Sequence, residues 1–352
     1  MGSLEIKPFI IIAMLLTLVL VNAYAQQGFV DAIITTDISY ADYAVATVVA
    51  AKIGAEVYLA QGTEVTQDLI NTLKTANVGH VYIIGGPAVI SENSETLLKD
   101  NGFEVTRIFG MTRYGTATEA ARFFWPEGSD EVVLVWDKPD HPAYQANLTS
   151  SKIVLKASEL AAQEKIPLLL IPKDSLPAEV EEVLKDLNVE KVIVVGAVGR
   201  NVLEKLSNLT IEVERKGEKD DDVEKVVEEE LVSKVSGKPI IIAAVANWQE
   251  GLVARASPHG VSILVFSQNE IPRVVDKVNN ITSTRNVSKI LVVGKPDLAQ
   301  QIYNALVNAG IDKKVPVILA SGMHREAVEK VVKEIKEEVK EIKEKYEEKI
   351  RE

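Results

Sequence analysis

The chain has 352 residues, 47% of them hydrophobic, with 51 acidic against 39 basic side chains and a net charge of −12. That length holds about two to three packed domains. The acidic balance excludes nucleic acid, whose binding rests on Lys and Arg neutralising phosphates, and the absence of cysteine excludes disulfides and a thiol nucleophile.

Lys7 precedes an apolar run from Phe9 to Val21, and Ala23-Tyr24-Ala25 then supplies a small-x-small site before Gln26. The run is shorter than the ~20 residues that span a bilayer. The expectation is a secretory signal peptide over 1–25 and an extracellular product, with a retained anchor as the alternative. Strands are expected at 31–36, 56–60, 80–84 and 103–108, and helices at 41–53, 65–76, 90–101 and 113–124. The pattern then restarts, with strands at 131–136, 167–171 and 191–195 and helices at 150–164 and 177–187. A third round has strands at 239–244, 261–266 and 289–293 and a helix at 270–279. The strands are short, continuous apolar runs, as in parallel sheets covered by helices on both faces. Strands alternating with helices imply small doubly wound α/β units.

The strand-plus-glycine segments at Val81–Gly85, Val192–Gly196 and Ile290–Gly294 align as copies of one pattern. Their spacing of roughly 100 residues is that of a small domain rather than a solenoid turn. The fold class expected is α/β, three tandem parallel-sheet (Rossmann-like or flavodoxin-like) repeats at 28–127, 130–235 and 238–336. After His324, the residues Val328, Val332, Ile335, Val339, Ile342 and Tyr346 follow heptad spacing among Glu and Lys. A helical stalk is expected at 337–352, continuing the last helix of the third repeat. Residues 328–350 would then meet a second copy or a partner's helix.

The first copy carries Gly85-Gly86, Val89-Ile90-Ser91, Val105-Thr106-Arg107-Ile108, Gly110 and Arg113-Tyr114-Gly115-Thr116, with Ala41-Asp42-Tyr43-Ala44 upstream. In this pattern the chain resembles the cell wall binding repeat 2 family of secreted surface proteins. The match is dense over 31–124. The later copies keep the strand-helix rhythm but lack Arg-Tyr-x-Thr. The resemblance implies three repeats around a pseudo-threefold axis and attachment to an envelope polymer or a surface layer.

Ligands of open parallel sheets sit at the carboxyl ends of the strands. In the first copy these ends carry Asp37, Gly85 and Gly86. A helix start at Arg113 offers N–H groups and a bidentate guanidinium to an anion, and Tyr114 offers a ring to a sugar. The candidate ligand residues are Asp37, Asp42, Gly85, Gly86, Arg113, Tyr114 and Thr116. Against a ligand role for Arg113 stands a structural one, pairing with a carboxylate such as Asp37 or Asp42 to lock the fold. Gly85-Gly86 reads as a tight turn rather than a phosphate cradle, since G-x-G-x-x-G spacing is absent.

Nothing forms a catalytic set: G-x-S-x-G, H-E-x-x-H and the P-loop are all missing, and His80, His141, His259 and His324 fall in different places. Trp136-Asp137-Lys138-Pro139-Asp140-His141 is a weak metal motif and better read as a solvated turn. Asp220-Asp221-Asp222 reads as a cap on the helix from Val223. No cofactor or metal is expected. Sequons at Asn147, Asn208, Asn280 and Asn286 are glycosylation candidates in an exported chain. Glu/Lys-rich helices and Val/Ile-rich strands suit a protein of hot environments. A non-catalytic envelope protein is the reading. The alternatives are a secreted solute-binding protein closing on a ligand, and an envelope-modifying hydrolase with converging carboxylates.

Overall fold

The computed structural model describes residues 29–138, 148–234, 240–245, 260–265, 267–294 and 296–319. The expected signal peptide, Asn147, His141, His259, His324 and the heptad segment 328–350 lie outside the described residues.

The first sheet comprises β1 (Val30–Thr36), β2 (Glu56–Ala60), β3 (Val78–Ile84) and β4 (Glu104–Ile108). Between and after them run α1 (Tyr40–Ile53), α2 (Gln67–Thr75), α3 (Glu92–Asp100) and α4 (Arg113–Phe124). The second sheet has β5 (Glu131–Trp136), β6 (Leu168–Ile171), β7 (Lys191–Val195) and β8 (Glu212–Lys216), with α5 (Leu148–Glu164), α6 (Ala178–Asp186), α7 (Arg200–Asn208) and α8 (Val223–Lys234). The third has β9 (Ile240–Val245), β10 (Gly260–Leu264), β11 (Val287–Val293) and β12 (Val317–Leu319), with α9 (Ile271–Thr284) and α10 (Pro296–Asn308). All pairings are parallel, and the three sheets share one order: β2-β1-β3-β4, β6-β5-β7-β8 and β10-β9-β11-β12. The expected α/β repeats are therefore present, each with a switch point between its first and third strands.

Local sequence accounts for the elements. Thr66 and Ser91 accept N–H groups of Leu69 and Ser94 and start α2 and α3, while Thr112 accepts from Gly115 and starts α4. In α2 only Leu69, Ile70 and Leu73 are buried, so it covers the sheet with one stripe. α1 differs, being buried on every side from Tyr40 to Ala50. Its Ala and Val side chains let it lie between the first sheet and α5, the equivalent helix of the second repeat. Gly54 ends it at φ 74°, a left-handed conformation that glycine adopts without a Cβ clash.

The fourth helix of each of the first two repeats packs beyond its own sheet. α4 lies on β6 and α6, and α8 lies on α5 and β10. One hydrophobic cluster consequently runs from Ile33 through Leu134 and Val194 to Ile290 and Val315, joining all three sheets. The second cluster, including Ile34, Leu69, Val81 and Leu98, fills the space under α2 and α3.

Candidate functional site

The switch point of the first sheet opens between the ends of β1 and β3, where Asp37 and Gly85-Gly86 stand. Asp37 Oδ1 accepts the Gly62 N–H at 2.7 Å, and Thr36 Oγ1 donates to the Gly62 carbonyl at 2.8 Å. Asp37 thus fastens the turn after β2. Gly85 has φ 133°, and a Cβ there would lie 2.7 Å from Val89 Cγ2. Gly196 and Gly294, its equivalents, also have positive φ. The shared conformation favours a turn, in agreement with the missing G-x-G-x-x-G spacing.

Arg113 does not pair with Asp37 or Asp42. Its Nη1 donates to Asp137 Oδ2 at 2.6 Å, across the junction to the end of β5. Asp137 is 1% exposed and also accepts from Tyr40 Oη of α1 and, at 2.9 Å, from Ser150 Oγ of α5. Tyr114 Oη donates to the Asp137 carbonyl at 3.2 Å. Sequence reasoning misses Asp137 as a hub, although it ends β5 where Asp37 ends β1. Its local motif reads as a solvated turn, whereas the Asp137 side chain is buried. Lys138 is exposed, and Pro139 to His141 lie outside the described residues.

Asp42 is buried in the first turn of α1, within the field of the same charges. Burial pushes its pKa up, Ser39 and Arg113 oppose that rise, and Asp137 adds to it. Tyr40 is likewise raised, first by burial and then by Asp137. Thr116 is buried, accepting the Gly110 N–H at 3.2 Å, and Gly110 lies against the Gly115 backbone where no Cβ would fit. Arg113 and Tyr114 therefore meet Asp137 at one inter-repeat junction with Asp42 in the field of the same charges, while Thr116 holds Gly110 within its own unit and Asp37 serves a separate turn.

The part still open at this end is apolar. Met111 is 96% exposed and Phe109 40% exposed, with the Phe109 ring lying over Gly86. Pro87 and Ala88 are exposed beside them. Motifs built on charged and glycine positions pass over both large side chains.

Elsewhere, His80 bonds Thr106 Oγ1 at 2.9 Å and stacks on Tyr82. Asp220 does not cap α8 through its side chain. Its Oδ1 accepts from Trp136 Nε1 and the Ala197 N–H, its Oδ2 takes Lys173, and residues Asp220–Asp222 form a 3-10 turn. Packing needs at the β5–β7 switch point outweigh local capping there. Asn208, Asn280 and Asn286 are exposed. Among the described residues no group of three or more His, Asp or Glu is placed to hold a metal, and no helix is long and apolar enough to cross a membrane.

At the second junction Lys156 of α5 is fully buried. It donates to Ser262 of β10 and to Glu159 at 3.0 Å, with Glu228 of α8 at 3.5 Å. Burial opposes its charge, but Glu159 and Glu228 outweigh burial and its pKa is raised. Lys277 and Arg273 of α9 reach Glu228 and Glu224.

Fold and junctions define a chain of tandem four-stranded α/β units locked by inter-unit ion pairs. Residues 17–95 match the family Cell wall binding domain 2 (CWB2), so the first unit carries that family's signature. The chain is 39% identical over 118 residues to an uncharacterized protein of Pyrococcus abyssi, covering 33% of this chain and 32% of that one. It is 26% identical over 168 residues to N-acetylmuramoyl-L-alanine amidase LytC of Bacillus subtilis, covering 48% and 31%. These matches span about a third of the relatives' lengths. Cwp6 from Clostridium difficile shares the fold, with a TM-score of 0.61 at 17% identity over 80% of this chain and 44% of that one. Cwp8 from the same organism has a TM-score of 0.57 at 17% identity, over 79% and 47%.

Proposed function

We propose that this protein is a non-catalytic component of the cell envelope that attaches through its first α/β repeat. The observation that carries this is the cell wall binding domain 2 match at residues 17–95, on the unit whose strand ends keep an exposed rim. Arg113 and Tyr114 are committed to Asp137, so the contact surface is assigned to Gly86, Phe109 and Met111. Phe109 takes the part expected of Tyr114: an exposed ring beside a flat glycine backbone suits the apolar face of a sugar. The ligand class is an envelope polysaccharide, with a surface-layer protein as the competing partner.

We propose further that residues 1–25 act as an export signal and that the repeats divide near 127–130 and 235–238. Asn208, Asn280 and Asn286 are available for glycans, and residues 337–352 form a stalk for a helical partner.

The test is a pull-down of the full chain on native envelopes and on envelopes stripped of protein, with wild type and with Met111→Glu and Phe109→Ser. Retention on stripped envelopes that both variants weaken supports the reading. Retention only on protein-bearing envelopes would replace the polysaccharide with a protein partner. Equal retention of wild type and variants would remove the rim from the binding surface.

A further inference from the structure

The end of the first sheet at which its strands begin carries a second group of rings. Strand register sets Asp31 of β1, His80 of β3 and Glu104 of β4 side by side, with Ile33, Tyr82 and Thr106 as the next row on the same face. The His80 and Tyr82 rings stack with centroids 4.1 Å apart. Phe124 and Phe123 of α4 meet the Tyr82 ring in T-shaped contacts at 5.1 and 6.0 Å. Phe124 is buried, Tyr82 is half-buried and the Phe123 ring is exposed. The row borders an open hollow of about 500 Å³, with Phe29, Asp31, Asn77, His80, Phe103 and Glu104 among its walls. Pairing skips Gly79, and the Phe29 side chain lies against it, where an added Cβ would stand 2.5 Å from Phe29 Cβ.

Asp31 and Glu104 are exposed, and among the described residues neither has an ion-pair partner. Their field reaches the rings: the Tyr82 pKa is raised first by burial and then by Asp31 and Glu104. Lys74 borders the same hollow but donates to Asn101 Oδ1 at 2.8 Å.

The second repeat closes the same row from within. Five residues before Gly85, Gly196 and Gly294 stand His80, Lys191 and Lys289. Register then makes Glu131, Glu212 and Glu214 the counterparts of Asp31, Glu104 and Thr106. Lys191 Nζ lies 3.1 Å from Glu131 and 2.7 Å from Glu214, and Ile193, in the place of Tyr82, is buried. In the first repeat the flanking carboxylates remain, but the lysine has given way to an imidazole and the rings reach the surface. The cation that would neutralise them has to come from outside the row.

Spacing selects the kind of cation. Neighbouring strands lie about 4.8 Å apart, so Asp31 and Glu104 are about 10 Å apart at the backbone, with the rings between them. One lysine side chain brings one charge and serves one carboxylate. A chain of amino sugars brings an ammonium on every unit and an apolar face to lay on Tyr82 and Phe123. Both carboxylates repel an anionic polymer, and an uncharged one leaves them unpaired.

We propose that this face of the first repeat binds an amine-bearing saccharide, with Asp31 and Glu104 accepting from its ammonium groups and Tyr82 and Phe123 lying against its sugar rings. The face begins at the opposite end of the sheet from Phe109 and Met111 and does not depend on what that rim binds.

Calorimetric titration of the full chain at pH ~6, where amines and carboxylates are both charged, tests it. The probes are a six-unit glucosamine oligomer, its fully N-acetylated form and a hexalysine peptide. The glucosamine oligomer is expected to bind at least ~5-fold more tightly than the other two. Asp31→Asn with Glu104→Gln is expected to weaken it ~5-fold, Phe123→Ser ~3-fold, and Met111→Glu not at all. His80→Lys recreates the row of the second repeat and is expected to abolish binding without lowering Tm, which separates a filled site from a damaged fold. A glucosamine oligomer that does not bind would overturn the proposal. Equal binding of the N-acetylated form would remove the ammonium, and tighter binding of hexalysine would give the face to a basic protein. Binding unchanged in every variant would trace it to net charge, and loss with Met111→Glu alone would move it to the rim; each of these results overturns the proposal.

Discussion

Asp137→Ala removes the hub of the first junction while leaving Arg113, Tyr40 and Ser150 behind. The carboxylate is 1% exposed and accepts three side-chain hydrogen bonds, one from a guanidinium whose side chain is 22% exposed. Breaking a buried ion pair by deleting one partner costs about 3–5 kcal/mol. Summing three bonds to a charged acceptor at about 1.5–3 kcal/mol each overshoots, because partly exposed Arg113 regains water and Tyr40 and Ser150 lie 2.8 Å apart and can bond each other. The expected loss is therefore about 3 kcal/mol, or roughly 6–12 °C in Tm for a cooperative unit of 150–250 residues. Urea unfolding followed by circular dichroism measures it. Arg113→Met should cost less, since Asp137 keeps two donors, and the double variant should cost less than the sum. A loss below about 1 kcal/mol for Asp137→Ala, or strict additivity with Arg113→Met, would refute the hub.

Three further outcomes are expected. Asp42 has a folded pKa raised by burial, so its contribution to stability is full below its unfolded value of about 3.9 and declines as pH rises to the folded value; Asp42→Asn should gain in urea midpoint relative to wild type between pH 4 and 7, and a pH-independent difference would contradict this. Glu214 is held down to about 2 by hydrogen bonds from Lys191 and Lys216, so its contribution is present above pH ~4.5 and lost as pH falls toward 2; Glu214→Gln should shrink the acid loss in a pH titration of Tm. Gly85→Ala combines φ 133° with a Cβ 2.7 Å from Val89 and should cost about 1–3 kcal/mol in urea unfolding, whereas Gly102→Ala, with φ 91° and open space, should cost less.

The exchange of roles between Arg113 and Met111 changes how binding should be tested. Arg113→Ala perturbs an ion pair to a buried carboxylate, so lost retention would result from a loosened junction as readily as from a lost ligand contact. Met111→Glu alters a side chain that is 96% exposed and takes no part in the Arg113–Asp137 pair.

Much of the architecture is legible along the chain. The apolar runs of β1, β3, β5, β7 and β11 and the glycines that end three of them announce parallel sheets, because strands covered on both faces are apolar throughout. α1 and α4 begin at Tyr40 and Arg113, within about a residue of the expected starts at 41 and 113. β8 and β12 are not legible in the same way. They are edge strands paired on one side only, and Glu212–Lys216 carries charge where a central strand could not. Part of the candidate set shares one place, since Asp42, Arg113 and Tyr114 stand near Asp137. Their task is not legible. A residue's spacing fixes its helix face and strand end, which are local properties of the backbone. Which carboxylate a guanidinium meets depends on how one sheet packs on the next, and only the tertiary structure brings Asp137 under Arg113.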